Sequence, residues 1–254
     1  MNKKIILITG CNGYISNIII KKLKNENILF IGCDLHASSD KKSINTINSG
    51  LDIYYKCDIS KENQIEKLFN YLQIKKTFPT ILINNAAIDS VPVSGEKNEK
   101  FNVKDFDLIF RVNVRAPIIF SKYCIENWEK NNKKGRIINI TSIYSMVSPD
   151  PKLYSNDFIK NILYGSSKAA LNNISKQLAV ICAKKNITIN SILFAGFESD
   201  KQDKQFKKKY INRIPIGRMI NDNDIKETVS FLISENNDYI TGSTVTLDGG
   251  YTLI

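Results

Sequence analysis

Seven short apolar runs recur along this chain: "KIILIT" (4–9), "ILFIGC" (28–33), "DIYYKC" (52–57), "TILIN" (80–84), "RIINIT" (136–141), "ITINSIL" (187–193) and "TVTL" (244–247). They are near-continuous rather than alternating, as strands covered on both faces must be. Helical spacing marks the stretches between them, at 15–26, 61–75, 104–131, 158–184 and 222–234. In "ENQIEKLFNYL", Ile65, Leu68, Phe69 and Leu72 share one helix face, and Ser60 stands where a cap would. Repeated strand–helix units predict an α/β fold, a doubly wound parallel sheet with helices on both faces and right-handed crossovers. No linker divides the chain, so one domain over residues 1–254 is expected. Segments 89–104 and 143–157 read as loops, and loops beyond the C-terminal ends of strands are where such sheets hold ligands.

Composition narrows the partners. Apolar residues make up 43% of 254, enough for a substantial core. No window approaches the roughly 18–20 apolar residues of a membrane helix. The start "MNKKIILITG" turns from basic to apolar, but its apolar run is too short for a secretory leader and lacks a cleavage site. A cytoplasmic protein with no membrane partner is expected. The net charge is +11, with lysines spread along the chain and dense only in "KQDKQFKKKY" (201–210). A solvated basic surface is expected rather than a nucleic-acid site. Cysteines 11, 33, 57, 124 and 182 form no CxxC pair and His36 is the single histidine, so no metal site is expected and the thiols read as reduced core residues.

The first strand runs into "TGCNGYIS". Gly10 can make the tight turn, Gly13 can let the backbone approach a phosphate, and the following helix offers unpaired N–H groups to it. Asn12, Tyr14 and Ile15 complete that turn. Ser16 stands where a third glycine is usual; it is small enough for close helix–strand packing, and its hydroxyl could face a phosphate. Asp34 ends the second strand, the place for a carboxylate that binds ribose hydroxyls. Asp58, followed by Ile59, ends the third strand, within reach of an adenine amino group. Asn84, Asn85, Ala86 and Ala87 end the fourth, where small residues let a cofactor lie against the sheet edge.

"INITS" brings Ser142 to the end of the fifth strand, and "YGSSKAAL" places Tyr164 and Lys168 one helical turn apart. A free phenol titrates near 10, too high for acid–base work at neutral pH. An ammonium on the same helix face would lower it. A second such pair, Tyr71 and Lys75, has no serine-ended strand before it and reads as a solvated face. Tyr154 lacks a lysine four residues on.

Together with Asn113 in "RVNVRAP" and the tail "PIGRM…FLISENNDYITGSTVTLDGGY", these pieces resemble the short-chain dehydrogenase/reductase family over essentially the whole chain. The resemblance implies a Rossmann fold with a seven-stranded sheet, a catalytic tetrad of Asn113, Ser142, Tyr164 and Lys168, and commonly a homotetramer or homodimer. In it Tyr164 moves the proton, Lys168 binds the nicotinamide ribose, Ser142 holds the substrate oxygen, and Asn113 holds a water linking Lys168 to solvent. Asp34 favours NAD over NADP by repelling a 2′-phosphate. Gly196 lies in the segment that runs beside the nicotinamide.

Three features depart from the family pattern. Tyr14 occupies a usual glycine position. The 22 residues from Ser142 to Tyr164 exceed the usual dozen or so. Phe194-Ala195 replaces a usual Pro-Gly. The insertion "SPDPKLY" is similar to that of bacterial surface-glycan and flagellin-sugar reductases, which implies a sugar or nucleotide-sugar substrate. A 3-oxoacyl-carrier-protein reductase and a catalytically inactive cofactor-binding regulator remain as alternatives.

Overall fold

The structure, a computed structural model, describes residues 3–25, 27–36, 50–89, 103, 105–154, 160–198 and 202–254. Seven parallel strands form one sheet: β1 (Lys4–Thr9), β2 (Ile28–Asp34), β3 (Ile53–Lys56), β4 (Ile81–Asn84), β5 (Gly135–Ser142), β6 (Ile187–Phe194) and β7 (Thr244–Leu247). Their order is β3-β2-β1-β4-β5-β6-β7, so the chain reverses direction across the sheet between β1 and β4. A cleft opens there beyond the strand ends.

Strand pleating explains the apolar runs. Ile6 and Ile8 face one core cluster and Leu7 the other, and all three are fully buried. The first cluster is covered by α1 (Tyr14–Leu23) and α7 (Asp222–Leu232). The second is covered by α2 (Glu62–Ile74) and α4 (Ala116–Lys130), through Ile65, Leu68, Leu72, Phe120 and Trp128. All five cysteines are buried and none is in a disulfide. No helix among the described residues is long and apolar enough to cross a membrane.

Several local expectations change. The helix expected over 104–131 is interrupted: α3 (Phe106–Phe110) passes through a π-helical turn at Arg111–Arg115 into α4. Pro117 has no N–H to return to the Asn113 carbonyl, so the regular ladder cannot run through it. Ser60 does not cap α2; Lys61 precedes the helix, while the Ser60 hydroxyl donates to Asp58 Oδ1 at 2.7 Å. The helix α5 (Ile162–Cys182) starts later than expected, capped by Asn161; residues 155–159 lie outside the described set. Most of the predicted 89–104 loop also lies outside it. The lysine-dense stretch holds a helix the spacing did not announce, α6 (Lys204–Ile211), capped by Asp203 and turning Phe206 and Tyr210 inward.

Candidate active site

The turn after β1 is shaped by its glycines. Gly10 has φ +65°, and a Cβ there would meet the Ala86 Cα at 2.8 Å, so both conformation and contact require glycine. Gly13 precedes α1, which has no side-chain cap and no acidic residue in its first turn. Its first N–H groups are therefore available to an anion. Ser16 does not face them. Its hydroxyl is fully buried and accepts from Asn85 Nδ2 at 2.7 Å, tying α1 to the end of β4. A buried hydroxyl beside an amide takes that bond in preference to facing the cleft. Tyr14 leaves the turn sideways: its ring lies 5.7 Å from that of Phe197, and its hydroxyl reaches Asp222 at 3.4 Å.

A cavity of about 570 Å³ runs from this turn past Asp34, Asp58, Ile59, Ala86 and Ala87. Asp34 accepts from the Asn12 amide at 3.0 Å and that of His36 at 3.4 Å, which fixes its carboxylate at the tip of β2. Asp58 also lines the cavity, with one oxygen held by the Ser60 amide and hydroxyl. A tight glycine cradle, an uncapped helix start and a fixed carboxylate make a donor and acceptor set that fits a dinucleotide's pyrophosphate and adenosine ribose.

A second cavity, about 810 Å³, shares Tyr14, Ile15, Asn85, Ala87 and Phe197 with the first. Ser142, Tyr164, Lys168 and Gly196 all line it. Lys168 is buried and donates to the Ile140 carbonyl at 2.8 Å, with Nζ 5.8 Å from the Tyr164 ring centroid. Asn113 is fully buried but outside the cavity wall. Its amide donates to the Ile88 carbonyl (2.9 Å) and the Ser167 hydroxyl (3.0 Å) and accepts from the Ile88 N–H (2.8 Å). These three hydrogen bonds clamp the segment after β4 to α5. Ser167 passes the clamp on by donating to the Tyr164 carbonyl at 2.7 Å.

The electrostatics also differ from expectation. Burial, then the nearby Asp89 carboxylate, push the Tyr164 phenol above its ordinary value; the hydrogen bond with Ser142 opposes them. Burial likewise draws the Lys168 pKa down, to about 8. At neutral pH the unliganded pair is thus a neutral phenol beside a lysine that is still mostly an ammonium but releases its proton more readily than usual. Among the described residues no group of three or more His, Cys, Asp or Glu could hold a metal.

A family model described as enoyl-(acyl carrier protein) reductase matches residues 15–252. The chain is a short-chain dehydrogenase/reductase. It is 32% identical to a 3-oxoacyl-[acyl-carrier-protein] reductase of Buchnera aphidicola, over 98% of this chain and 97% of that one. It is 24% identical to glucose 1-dehydrogenase 2 of Bacillus subtilis, over 98% and 95%. Among solved structures it resembles a short-chain dehydrogenase of Leptospira borgpetersenii with bound NAD+, at 28% identity and TM-score 0.84, covering 99% and 94% of the two chains. The chain is accordingly an oxidoreductase with a Rossmann-type nucleotide-binding fold.

Within this dehydrogenase the insertion packs on α6. Asp150 ion-pairs with Arg213, Lys209 donates to the Lys152 carbonyl at 3.0 Å, and Tyr154 lies 5.4 Å from the Phe206 ring. Tyr154, read from sequence only as a tyrosine without its lysine, lines the second cavity beside Ser142 and Tyr164. Tyr71 sits on α2 and Lys75 is the residue that ends it, remote from the site, with Nζ 5.8 Å from the ring. Residues the motifs did not mark include Thr9, whose hydroxyl accepts from the Asn85 and Ala86 amides at 3.0 Å each. Asp89 and Lys160 are two more. They meet in the cavity at 2.8 Å, and no motif in the sequence pairs them.

Proposed function

We propose that this dehydrogenase uses NAD(H) to interconvert a secondary alcohol and a ketone on a sugar or nucleotide-sugar, with Tyr164 as general acid and base. The observation that carries the reading is the convergence of Ser142, Tyr164 and Lys168 on one cavity that continues into the cradle of Gly10 and Asp34. NADH held there supplies the hydride that the carbonyl carbon accepts. In that direction the Ser142 hydroxyl holds the carbonyl oxygen, and Tyr164 gives it a proton as negative charge develops. Lys168, with a pKa near 8, can return a proton to the phenolate at neutral pH. Asn113 positions both partners through Ile88 and Ser167. The sugar reading draws support from a wall rich in hydroxyls, Tyr144, Tyr154 and Ser142 among them. Asp89 Oδ1 adds to it, being buried with no hydrogen-bond partner among the described residues, an acceptor suited to a substrate hydroxyl. The protein acts as one domain in the cytoplasm, as a homotetramer or homodimer.

The Buchnera relative favours a second reading, reduction of a 3-oxoacyl thioester on a carrier protein. Mixing the protein with NADH or NADPH and either a ketosugar panel or acetoacetyl thioesters separates the two. Turnover of the ketosugars alone supports the first reading, turnover of the thioesters alone the second. No oxidation with any of them leaves a cofactor-binding regulator. The cofactor preference has its own check. The Asp34→Ala protein should shift the NAD/NADP ratio of kcat/KM toward NADP by about tenfold or more, since a repulsive carboxylate is removed. A wild-type protein that prefers NADPH would contradict this reading of Asp34.

A further inference from the structure

Tyr164 has a lysine four residues to either side: Lys160, just before the cap of α5, and Lys168 on α5 itself. The Lys160 ammonium lies 5.0 Å from the Tyr164 ring centroid and 4.9 Å from that of Tyr144. Asp89 holds it in an ion pair at 2.8 Å, with the lysine side chain 16% exposed. A cation resting on two ring faces and one carboxylate is fixed rather than roaming. Asp89 faces the same ring: its charge acts on both Tyr164 and Lys168.

We propose that Lys160, held by Asp89, is a positioning residue for the reaction, fixing the Tyr164 ring against Tyr144 and placing a second cation beside the proton donor. This rests on Tyr164 being the proton donor proposed above. Lys168 faces Tyr164 from α5, Lys160 from the residue before that helix's cap, Asp89 from the segment after β4, and Ser142 and Tyr144 from the end of β5 and the turn beyond it. Alone, Asp89 would repel a phenolate in a desolvated cavity. Lys160 offsets that charge at contact distance and adds its own attraction through the ring. The phenolate left after proton transfer is thereby held between two ammonium groups.

A substrate-free titration tests this. Tyrosine carrying 13C at Cζ reports phenolate formation, and the Tyr164 signal is the one lost in Tyr164→Phe. In protein saturated with NAD+, the Lys160→Met midpoint should rise by about one pH unit and the Asp89→Asn midpoint fall by about one. Lys160→Arg, which keeps the charge, should titrate with the wild type. Midpoints that stay put in both variants, or move in the same direction, overturn the inference. So does an arginine variant that behaves like the methionine one, since that makes the role one of packing alone. Asp89→Asn is nearly isosteric, so it supplies the decisive sign even where Lys160→Met folds poorly. Because no substrate is involved, an error in the proposed substrate class leaves this result unaffected.

Discussion

Replacing Tyr164 by phenylalanine should lower NADH-dependent turnover by about 10²–10⁴-fold while leaving NADH affinity nearly unchanged. Only one oxygen is removed, the ring stays beneath Lys160, and the cradle at Gly10 and Asp34 is remote from it. Steady-state kinetics together with NADH fluorescence titration measure both quantities. Turnover within a few-fold of wild type would assign the proton to another group, and equal loss of binding would make Tyr164 a cofactor anchor instead.

Replacing Lys168 by methionine should cost activity by about 10²-fold or more and at the same time stabilise the unliganded protein at pH 7. Burial draws the folded Lys168 pKa down to about 8 from the ordinary 10.5, so the folded state resists binding that proton. Its burial cost is therefore full below pH 8, shrinks as pH rises, and is gone above about 10.5. Keeping that charge buried costs roughly 3 kcal/mol, from which loss of the hydrogen bond to Ile140 removes about 1 kcal/mol. A net gain of about 2 kcal/mol should raise Tm by roughly 5 °C at pH 7. Thermal unfolding at pH 7, 8.5 and 10 checks it. The gap between variant and wild type should narrow steadily with pH; a gap that is absent at pH 7 or grows with pH would contradict the burial argument.

The positions of strands and of the turn glycine were legible because each rests on a local rule. A strand covered on both faces must be mostly apolar along its length, as β1 and β4 are, and a residue at φ +65° against a neighbouring backbone must be glycine, as Gly10 is. The Tyr164–Lys168 spacing was equally local. What failed locally was governed by a competitor elsewhere. Ser16 turned to Asn85. The helix at 204–211 was masked by lysines that outnumber its inward aromatic residues.

The sequence by itself determined a doubly wound parallel sheet, a nucleotide cradle after its first strand and a tyrosine–lysine pair on one helix face, because hydrophobic periodicity, glycine geometry and helical repeat act over a few residues. Only the tertiary structure decided how that pair is charged. Burial and Asp89, 75 residues from Tyr164 along the chain, raise the phenol; burial lowers Lys168, and Lys160 is brought onto the ring by the same carboxylate. Desolvation and Coulomb forces depend on what lies within a few ångströms in space, and no spacing along the chain carries that information.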